Sequence, residues 1–458
     1  MKAESLTIAV DARRRPASAA GTRTLSGWGK VPTVAGAERL SEDLVALSGE
    51  DTRLARGLGR AYGDAALPAP GDYVVTGTRR ADLVVGFDDA TGVLRAEAGF
   101  TLDQLVSLFL PKGFFTPVSP GTRFVTLGGM VASDVHGKNH HIAGTLGQHL
   151  RRLRLRVPDG RVVTCSPCEE PELFWGTVGG MGLTGTILDV ELTLVRVPSP
   201  WIFEERQSVR NIDEMIHGLR RAADSWPMTV AWIDCLSSGA SLGRGVLIKG
   251  RWAEAHEAPA HPPPAPTEFP IPVEFPGFVL STPVIRGFNA AHYWVHTRRR
   301  RAKVVHPHAF FYPLDAVRHW RRLYGSRGFV QYQCVLPYPD VNKPAHEILT
   351  LLSGGATSFL CVVKDCGPEG QGTLSFPRPG ISIALDIPFR PQTQALVDAM
   401  NEVVIAAGGR IYLAKDALTR PGHFAAMKHR LPAFMALRER WDPERRLRSA
   451  QSVRLMGW

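Results

Sequence analysis

Between Val75 and Leu192 the apolar positions switch between a repeat of two and a repeat of three to four, which predicts strands mixed with helices. "DLVVGFD" and "GVLRAEAG" predict two strands joined by the turn "DATG". Leu102, Leu105, Val106 and Phe109 recur at helical spacing, which predicts a helix over "TLDQLVSLFLPKG". Thr101 and Gln104 form a capping box at its start and Gly113 stops it. Around Pro198 to Trp201 glycines thin out, aromatics increase and strands alternate, which predicts a domain boundary. "GFVQYQCVL", "TSFLCVVKD" and "ISIALDIPF" predict strands, and "PQTQALVDAMNEVVIAAGG" predicts a helix ending at Gly408 and Gly409. "RIYLAKD" predicts a further strand, and a last helix is expected near Gly422 to Arg440. His261 to Gly277 is too proline-rich for a regular element and predicts a mobile loop.

Glycine-rich stretches interrupt the first half. "LARGLGRAYGDAAL", Leu54 to Leu67, has the look of a phosphate-binding turn but does not fit the Rossmann fingerprint. Gly57 and Gly59 suit it, but Tyr62 takes the third glycine's place, and Pro68, Pro70 and Gly71 forbid the helix that should follow. What remains is a loop whose bare amides face an anion, or a plain surface turn. Two more such stretches follow, Pro120 to His149 and Phe174 to Leu188. Three separated loops exceed what one mononucleotide needs. They suit a long groove for an extended dinucleotide such as FAD, with amides on the pyrophosphate and small residues against the isoalloxazine.

Composition adds bounds. The chain has 458 residues, enough for two or three domains, and is 44% hydrophobic and 21% charged, as in an ordinary globule. No apolar run approaches the roughly 20 residues that span a bilayer. Arg13, Arg14 and Arg15 resemble a twin-arginine export signal, but no apolar segment follows, so this end reads as a flexible basic tail. The net charge of +11 suits an anionic partner. No zinc-finger, RNP or helix-turn-helix pattern accompanies it, which argues against nucleic acid. Cys165 and Cys168 form a lone C-x-x-C among six cysteines and read as reduced thiols in a turn. His136, Lys138, His140 and His141 have no metal-site spacing and no carboxylate pair, so no metal is expected.

"ARGLGRAYGD", "PGTRFVTLGGMVASDVHGKNHH", "LFWGTVGGMGLTGTI" and "YLAKD" with "WDP" together resemble the vanillyl-alcohol-oxidase (PCMH) type of FAD-binding fold. Within it they are most similar to the decaprenylphosphoryl-β-D-ribose 2′-oxidase family. The resemblance covers about Leu25 to the C-terminus and is weakest over Ala253 to Arg298. It implies an α+β, two-domain fold. After a tail over residues 1–24, an FAD-binding domain spans 25–198 and an antiparallel-sheet substrate domain spans 199–410, with a mobile loop at about 254–303. Residues 411–458 return to the FAD-binding domain. It implies oxidation of the 2′-hydroxyl of decaprenylphosphoryl-β-D-ribose to a ketone, the alternative being an FAD-dependent oxidase or dehydrogenase of another sugar, alditol or aldonolactone. A separate short-chain nicotinamide-dependent reductase then completes epimerisation to the arabinose donor for cell-wall arabinan. The implied location is the cell envelope, peripheral at the plasma membrane.

Carried over by motif, the implied flavin contacts are Ala55, Arg56, Gly57, Leu58, Gly59, Arg60, Ala61, Tyr62, Gly63, Asp64, Ala65, Gly121, Thr126, Leu127, Gly128, Gly129, Ser133, Asp134, Val135, His136, Ile187 and Tyr412. Many flavoenzymes of this fold hold FAD through a histidine in the first loop; Arg60 to Asp64 contains none, so FAD is expected to be non-covalent. The implied substrate contacts are Gly137, Lys138, Trp232, Tyr312, Gln331, Gln333, Lys364, Ser382, Ala384 and Lys415. Gln331 and Gln333 flank Tyr332, so a strand puts both amides on one face, toward ribose hydroxyls or toward solvent. Lys138 and Lys364 suit a phosphate. Lys415 suits a developing negative charge, and Lys415 and His136 both stand open as acceptors of the hydroxyl proton. Ala384 departs from the family, which usually has there the cysteine captured by nitroaromatic inhibitors. "HYWVHTRRRRAK", His292 to Lys303, joins aromatics to four arginines and suits an anionic membrane surface.

Overall fold

A computed structural model describes residues 23–50, 53–298, 302–355 and 358–458. Most of the expected basic tail and the arginines at 299–301 lie outside the described residues.

The first half carries two larger sheets and a two-stranded pair, Phe114–Phe115 with Val195–Arg196. A four-stranded sheet orders Arg23–Ser26, Thr33–Leu40, Val74–Gly77 and Ala55–Arg56, with both pairs to Val74–Gly77 parallel. A five-stranded antiparallel sheet orders Val84–Asp88, Val93–Glu97, Thr186–Thr193, Leu150–Arg156 and Val162–Cys165. The expected hairpin and helix are both present. The helix runs Leu102–Phe109, with the reciprocal Thr101–Gln104 capping box and Gly113 left-handed just beyond it. Its apolar stripe joins a core containing Phe100, Leu127 and Phe174.

The second half is built on an eight-stranded antiparallel sheet. Its order is Ala302–Val305, Ile202–Val209, Gly245–Trp252, Met228–Ile233, Cys361–Cys366, Gly380–Pro388, Phe329–Pro337 and Arg410–Ile411. Helices Ile212–Ala223, Asn342–Gly355 and Thr393–Ala406 pack on one another and against this sheet. Buried residues of these helices and strands share one core, including Ile216, Ile348, Val404 and Ile383.

Several boundaries differ from the expectation. Only Arg410–Ile411 of "RIYLAKD" is strand; Leu413–Lys415 coils into a 3₁₀ turn that lifts Lys415 off the sheet edge. The last helix is two, Pro421–Met427 and Leu431–Trp441, the second restarting on Pro432 in its first turn. The proline-rich run is irregular around the short strand Phe269–Pro270, but prolines end at Pro283, and Thr282–Arg298 forms a 17-residue helix. A terminal helix, Ala450–Met456, starts on a Ser449–Ser452 capping box that the sequence reading missed.

That terminal helix anchors the fold. Arg454 Nε and Nη2 donate to both oxygens of Asp64 at 2.9 and 2.8 Å, Nη2 donates to Asp416 Oδ2 at 2.8 Å, and Nη1 donates to the Thr419 carbonyl at 2.6 Å. Both carboxylates are buried; without the guanidinium both lose their neutralising charge, and Asp416 keeps only the N–H groups of Leu418 and Thr419. Arg454→Met is therefore expected to cost about 3–5 kcal/mol, read as a lowered midpoint in chemical unfolding of the flavin-loaded protein.

Candidate active site

Between the glycine loops and one face of the large sheet lies a cavity of about 580 Å³, within the range of cofactor sites. The first loop leaves the strand Ala55–Arg56 and turns through Gly59 at φ +63°. Arg56 braces it from behind, donating to the carbonyls of Ser26 and Ala66 at 2.8 and 3.0 Å. The Tyr62 N–H donates to the Ala414 carbonyl at 2.9 Å, so this loop is stitched to the segment that carries Lys415. The second loop caps the short helix Leu127–Ala132 with the Thr126 side chain, which accepts from the Gly129 N–H at 3.2 Å. Gly128 and Gly129, in its first turn, line the cavity. At Gly121 and Gly182 nothing lies within 4 Å of where a Cβ would stand, so bare backbone faces open space. A long groove walled by uncovered glycine backbone fits an extended, flat dinucleotide.

Most residues carried over by motif line this cavity: Ala55, Gly57 to Tyr62, Ala65, Gly121, Thr126, Gly128, Gly129, Ser133, Val135, His136, Ile187 and Tyr412 on the loop side. Lys138, Trp232, Gln331, Gln333, Lys364, Ala384 and Lys415 line it elsewhere. The others stand behind the wall. Asp64 is held by Arg454, Gly63 backs on Asp416, and Leu127 is core. Asp134 accepts from Ser375 and from the Gly147 N–H at 3.0 Å. Gly137 packs on Ser119 and Asn139. Tyr312 is buried rather than exposed to the cavity, its hydroxyl 2.7 Å from Ser119 Oγ. Ser382 accepts from Gln333 at 3.1 Å.

His136 is buried beside Phe376 and Tyr412, with ring centroids 5.2 and 4.9 Å away. Gln333 Nε2 donates to its Nε2 at 2.8 Å, which leaves the ring proton on Nδ1. That nitrogen is buried and has no partner among the described residues. Burial, and then the charge of Lys364, holds the imidazole well below its ordinary pKa, so it is neutral. His140 and His141 instead serve the loops: His140 Nδ1 accepts from the Gly367 N–H at 2.9 Å, and His141 Nε2 lies 2.9 Å from the Trp226 carbonyl.

Three lysines border the cavity. Lys138 donates to the Phe310 carbonyl, its ammonium 4.5 Å from the Phe310 ring, and burial lowers its pKa to about 7. Burial also lowers Lys364. The Lys415 ammonium sits 4.0 Å from the Tyr62 ring centroid; burial lowers its pKa, Asp386 opposes that and Lys364 reinforces it.

Asp386 is the residue that sequence reasoning missed. It is fully buried on the strand Gly380–Pro388, directly across from Gln331. Its carboxylate accepts from Gln331 Nε2 and, at 3.1 Å, from the Tyr324 hydroxyl. Burial raises its pKa, while Gln331 and Lys415 oppose the rise. The signal was available: one aspartate inside the apolar run "SIALDIPF" must be partnered if that strand is buried.

An FAD binding domain family matches residues 45–166. A decaprenylphosphoryl-β-D-ribose oxidase of Mycolicibacterium smegmatis is 34% identical over 444 residues, covering 92% of this chain and 95% of the relative. An uncharacterised protein of Streptomyces coelicolor is 33% identical, covering 75% of this chain and 96% of that protein. A D-lactate dehydrogenase of Anaerostipes hadrus is 26% identical over 28% of each chain. Loops, cavity and matches define an FAD-dependent oxidoreductase of the PCMH type. More particularly, the chain belongs to the decaprenylphosphoryl-β-D-ribose oxidase family.

Among the described residues no cysteine lines the cavity, and the first loop has no histidine. Acid precipitation of the purified protein is expected to leave the chromophore absorbing at about 450 nm in the supernatant; a yellow pellet would contradict non-covalent binding.

Proposed function

We propose that this enzyme oxidises the 2′-hydroxyl of a polyprenylphosphoryl-β-D-ribose to the ketone, the first half of an epimerisation. A short-chain nicotinamide-dependent reductase completes it, giving the arabinose donor for cell-wall arabinan. The observation that carries this reading is a convergence. Gln331, Gln333 and Lys415 supply hydroxyl-binding and proton-accepting groups beside the glycine loops, and Lys138 and Lys364 supply amino groups beyond them that a bound phosphate would hold in the charged form. The similarity to a decaprenylphosphoryl-β-D-ribose oxidase supports the same substrate class.

Bound FAD would supply the acceptor for the hydride leaving C2′. Gly57 to Tyr62, Gly121, Thr126, Gly128 and Gly129 would hold the cofactor, and His136 would offer it a donor through Nδ1. His136 is a poor proton acceptor because Gln333 already engages its lone pair. Lys415 is the better one: burial favours its uncharged form, whose Nζ takes the hydroxyl proton as the carbonyl forms. The resulting ammonium then faces the negative charge that accumulates in the site. The Tyr62 ring faces it, and the charge of Asp386 favours it. The enzyme works peripherally at an anionic plasma membrane within the cell envelope. The net charge of +11 and the exposed Phe278, Val284 and Trp294 favour that location. No helix among the described residues is long and apolar enough to cross a membrane.

The first experiment is anaerobic mixing of the enzyme with a polyprenylphosphoryl ribose. Bleaching of the flavin by this lipid, and not by free ribose or alditols, is expected; a flavin that stays oxidised refutes the substrate. Lys415→Met is expected to slow bleaching by roughly 10²–10⁴-fold. Wild-type bleaching should accelerate with rising pH as Lys415 loses its proton, at a pH below the ordinary lysine range. Asp386 raises the Lys415 pKa, so Asp386→Asn should move that limb to lower pH in stopped-flow measurements. Ala384 lines the cavity without a thiol, so turnover with nitroaromatic inhibitors should leave the protein mass unchanged, and Ala384→Cys should gain an adduct.

A further inference from the structure

The register of the large sheet orders chemistry across one face. Directly opposed residues of neighbouring strands share a face. One row runs Gln333, Ala384, Val362, Trp232 and Val246 across five successive strands. In the next row, Ser382 opposes Lys364, and beyond them Val230 opposes Ile248, which opposes Arg206. Both rows change character at the same place. Toward Phe329–Pro337 the face is amide and hydroxyl, Lys364 marks the change, and Val362, Val230, Trp232 and Ile248 make the rest apolar.

The apolar half is roofed. Helix Thr282–Arg298 lies over it, with His292 4.4 Å from Trp232 between ring centroids and Arg206 Nη1 2.7 Å from His296 Nε2. Both Phe288 and His292 line the same cavity as Gln333 and Lys415, so the space under the helix is continuous with the oxidation site. Phe288 is also 49% exposed and therefore marks a mouth, one helical turn from Val284, which is 47% exposed. Arg206 is neutralised where the track ends: Glu204, almost fully buried, accepts from it at 2.9 and 3.3 Å and pairs with Lys303 at 3.4 Å.

We propose that the sheet face beneath helix Thr282–Arg298 is a track for the substrate's polyprenyl tail, leading from the ribose site past Lys364 to the mouth at Phe288. This rests on the substrate reading above and adds where the lipid runs. The order of groups in such a ligand, sugar then phosphate then hydrocarbon, is the order of the face: Gln331 and Gln333, then Lys364, then Val230, Trp232 and Ile248. A soluble sugar would leave this apolar half of the cavity unused.

The test uses the flavin-loaded enzyme and ribosyl phosphates whose prenyl chains range from a single isoprene unit to long. The wild type is expected to show KM falling by roughly tenfold or more as the chain lengthens, because each buried methylene adds favourable transfer energy. In Ile248→Ser and Phe288→Ser this gain is expected to shrink to about threefold or less. Independently of turnover, a long-chain analogue with a photoreactive group part-way along its tail should label peptides of Gly245–Trp252 or Thr282–Arg298. Chain-length independence in the wild type, or labelling confined to other surfaces, overturns the track while the ribosyl phosphates still bleach the flavin. Failure of every chain length to bleach it overturns the substrate reading itself, and the track with it.

Discussion

Arg454 holds together parts of the chain that the sequence separates by hundreds of positions. Asp64 closes the first glycine loop and Asp416 follows Lys415, and both buried carboxylates end on one guanidinium. Two carboxylates brought this close out of water would repel each other; a shared bidentate cation turns that cost into a fixed geometry. Its consequences spread outward. The Tyr62 N–H reaches the Ala414 carbonyl, Gly63 has room only for hydrogen against the Asp416 backbone, and Gln451 Nε2 donates to the Leu413 carbonyl at 2.8 Å. The distance from Lys415 to the Tyr62 ring therefore follows from a clamp on the far side of both segments. The C-terminal return is a third wall of the site.

Electrostatics inside the cavity follow from an imbalance. Lys138, Lys364 and Lys415 border the same space as His136, and the fully buried Asp386 is the carboxylate that acts on Lys415. Each cation is disfavoured by burial, and Lys364 disfavours Lys138, Lys415 and a charged His136 alike. A site with this excess of positive charge welcomes an anionic group. Burial also brings its lysines, Lys415 among them, closer to losing a proton than a solvent-exposed lysine would be at neutral pH.

Much of this was legible in the residues. Glycine spacing told a dinucleotide groove from a Rossmann turn, because Tyr62 in the third glycine's place and the prolines after Leu67 are local facts. Two-residue periodicity put Gln331 and Gln333 on one face, and the structure has both in the cavity. The failures were of another kind. Tyr312 lies beside the site in sequence, but a hydrogen bond to Ser119, 193 positions away, turns it into the interior. "RIYLAKD" alternates like a strand, yet the tie from Tyr62 to Ala414 and that from Gln451 to Leu413 pull its second half into a 3₁₀ turn. Asp386 was overlooked because its partners, Gln331 and Tyr324, lie 55 and 62 positions away. Long-range polar partners carry no periodic signature.

The bond from Gln333 to His136 shows why the two halves must be read together. Gln333 belongs to the large sheet and His136 to the second glycine loop, 197 positions apart. Gln333 spends its amide hydrogens on His136 and Ser382, so the sheet decides which nitrogen of the loop histidine carries the proton. Histidine alone would leave both ring nitrogens available, and either His136 or Lys415 would then serve as proton acceptor. With its lone pair engaged and its ring packed beside Phe376 and Tyr412, His136 keeps only a donor. Base and donor are thus separated by a single amide, that of Gln333, which acts on the glycine loop through its bond to His136.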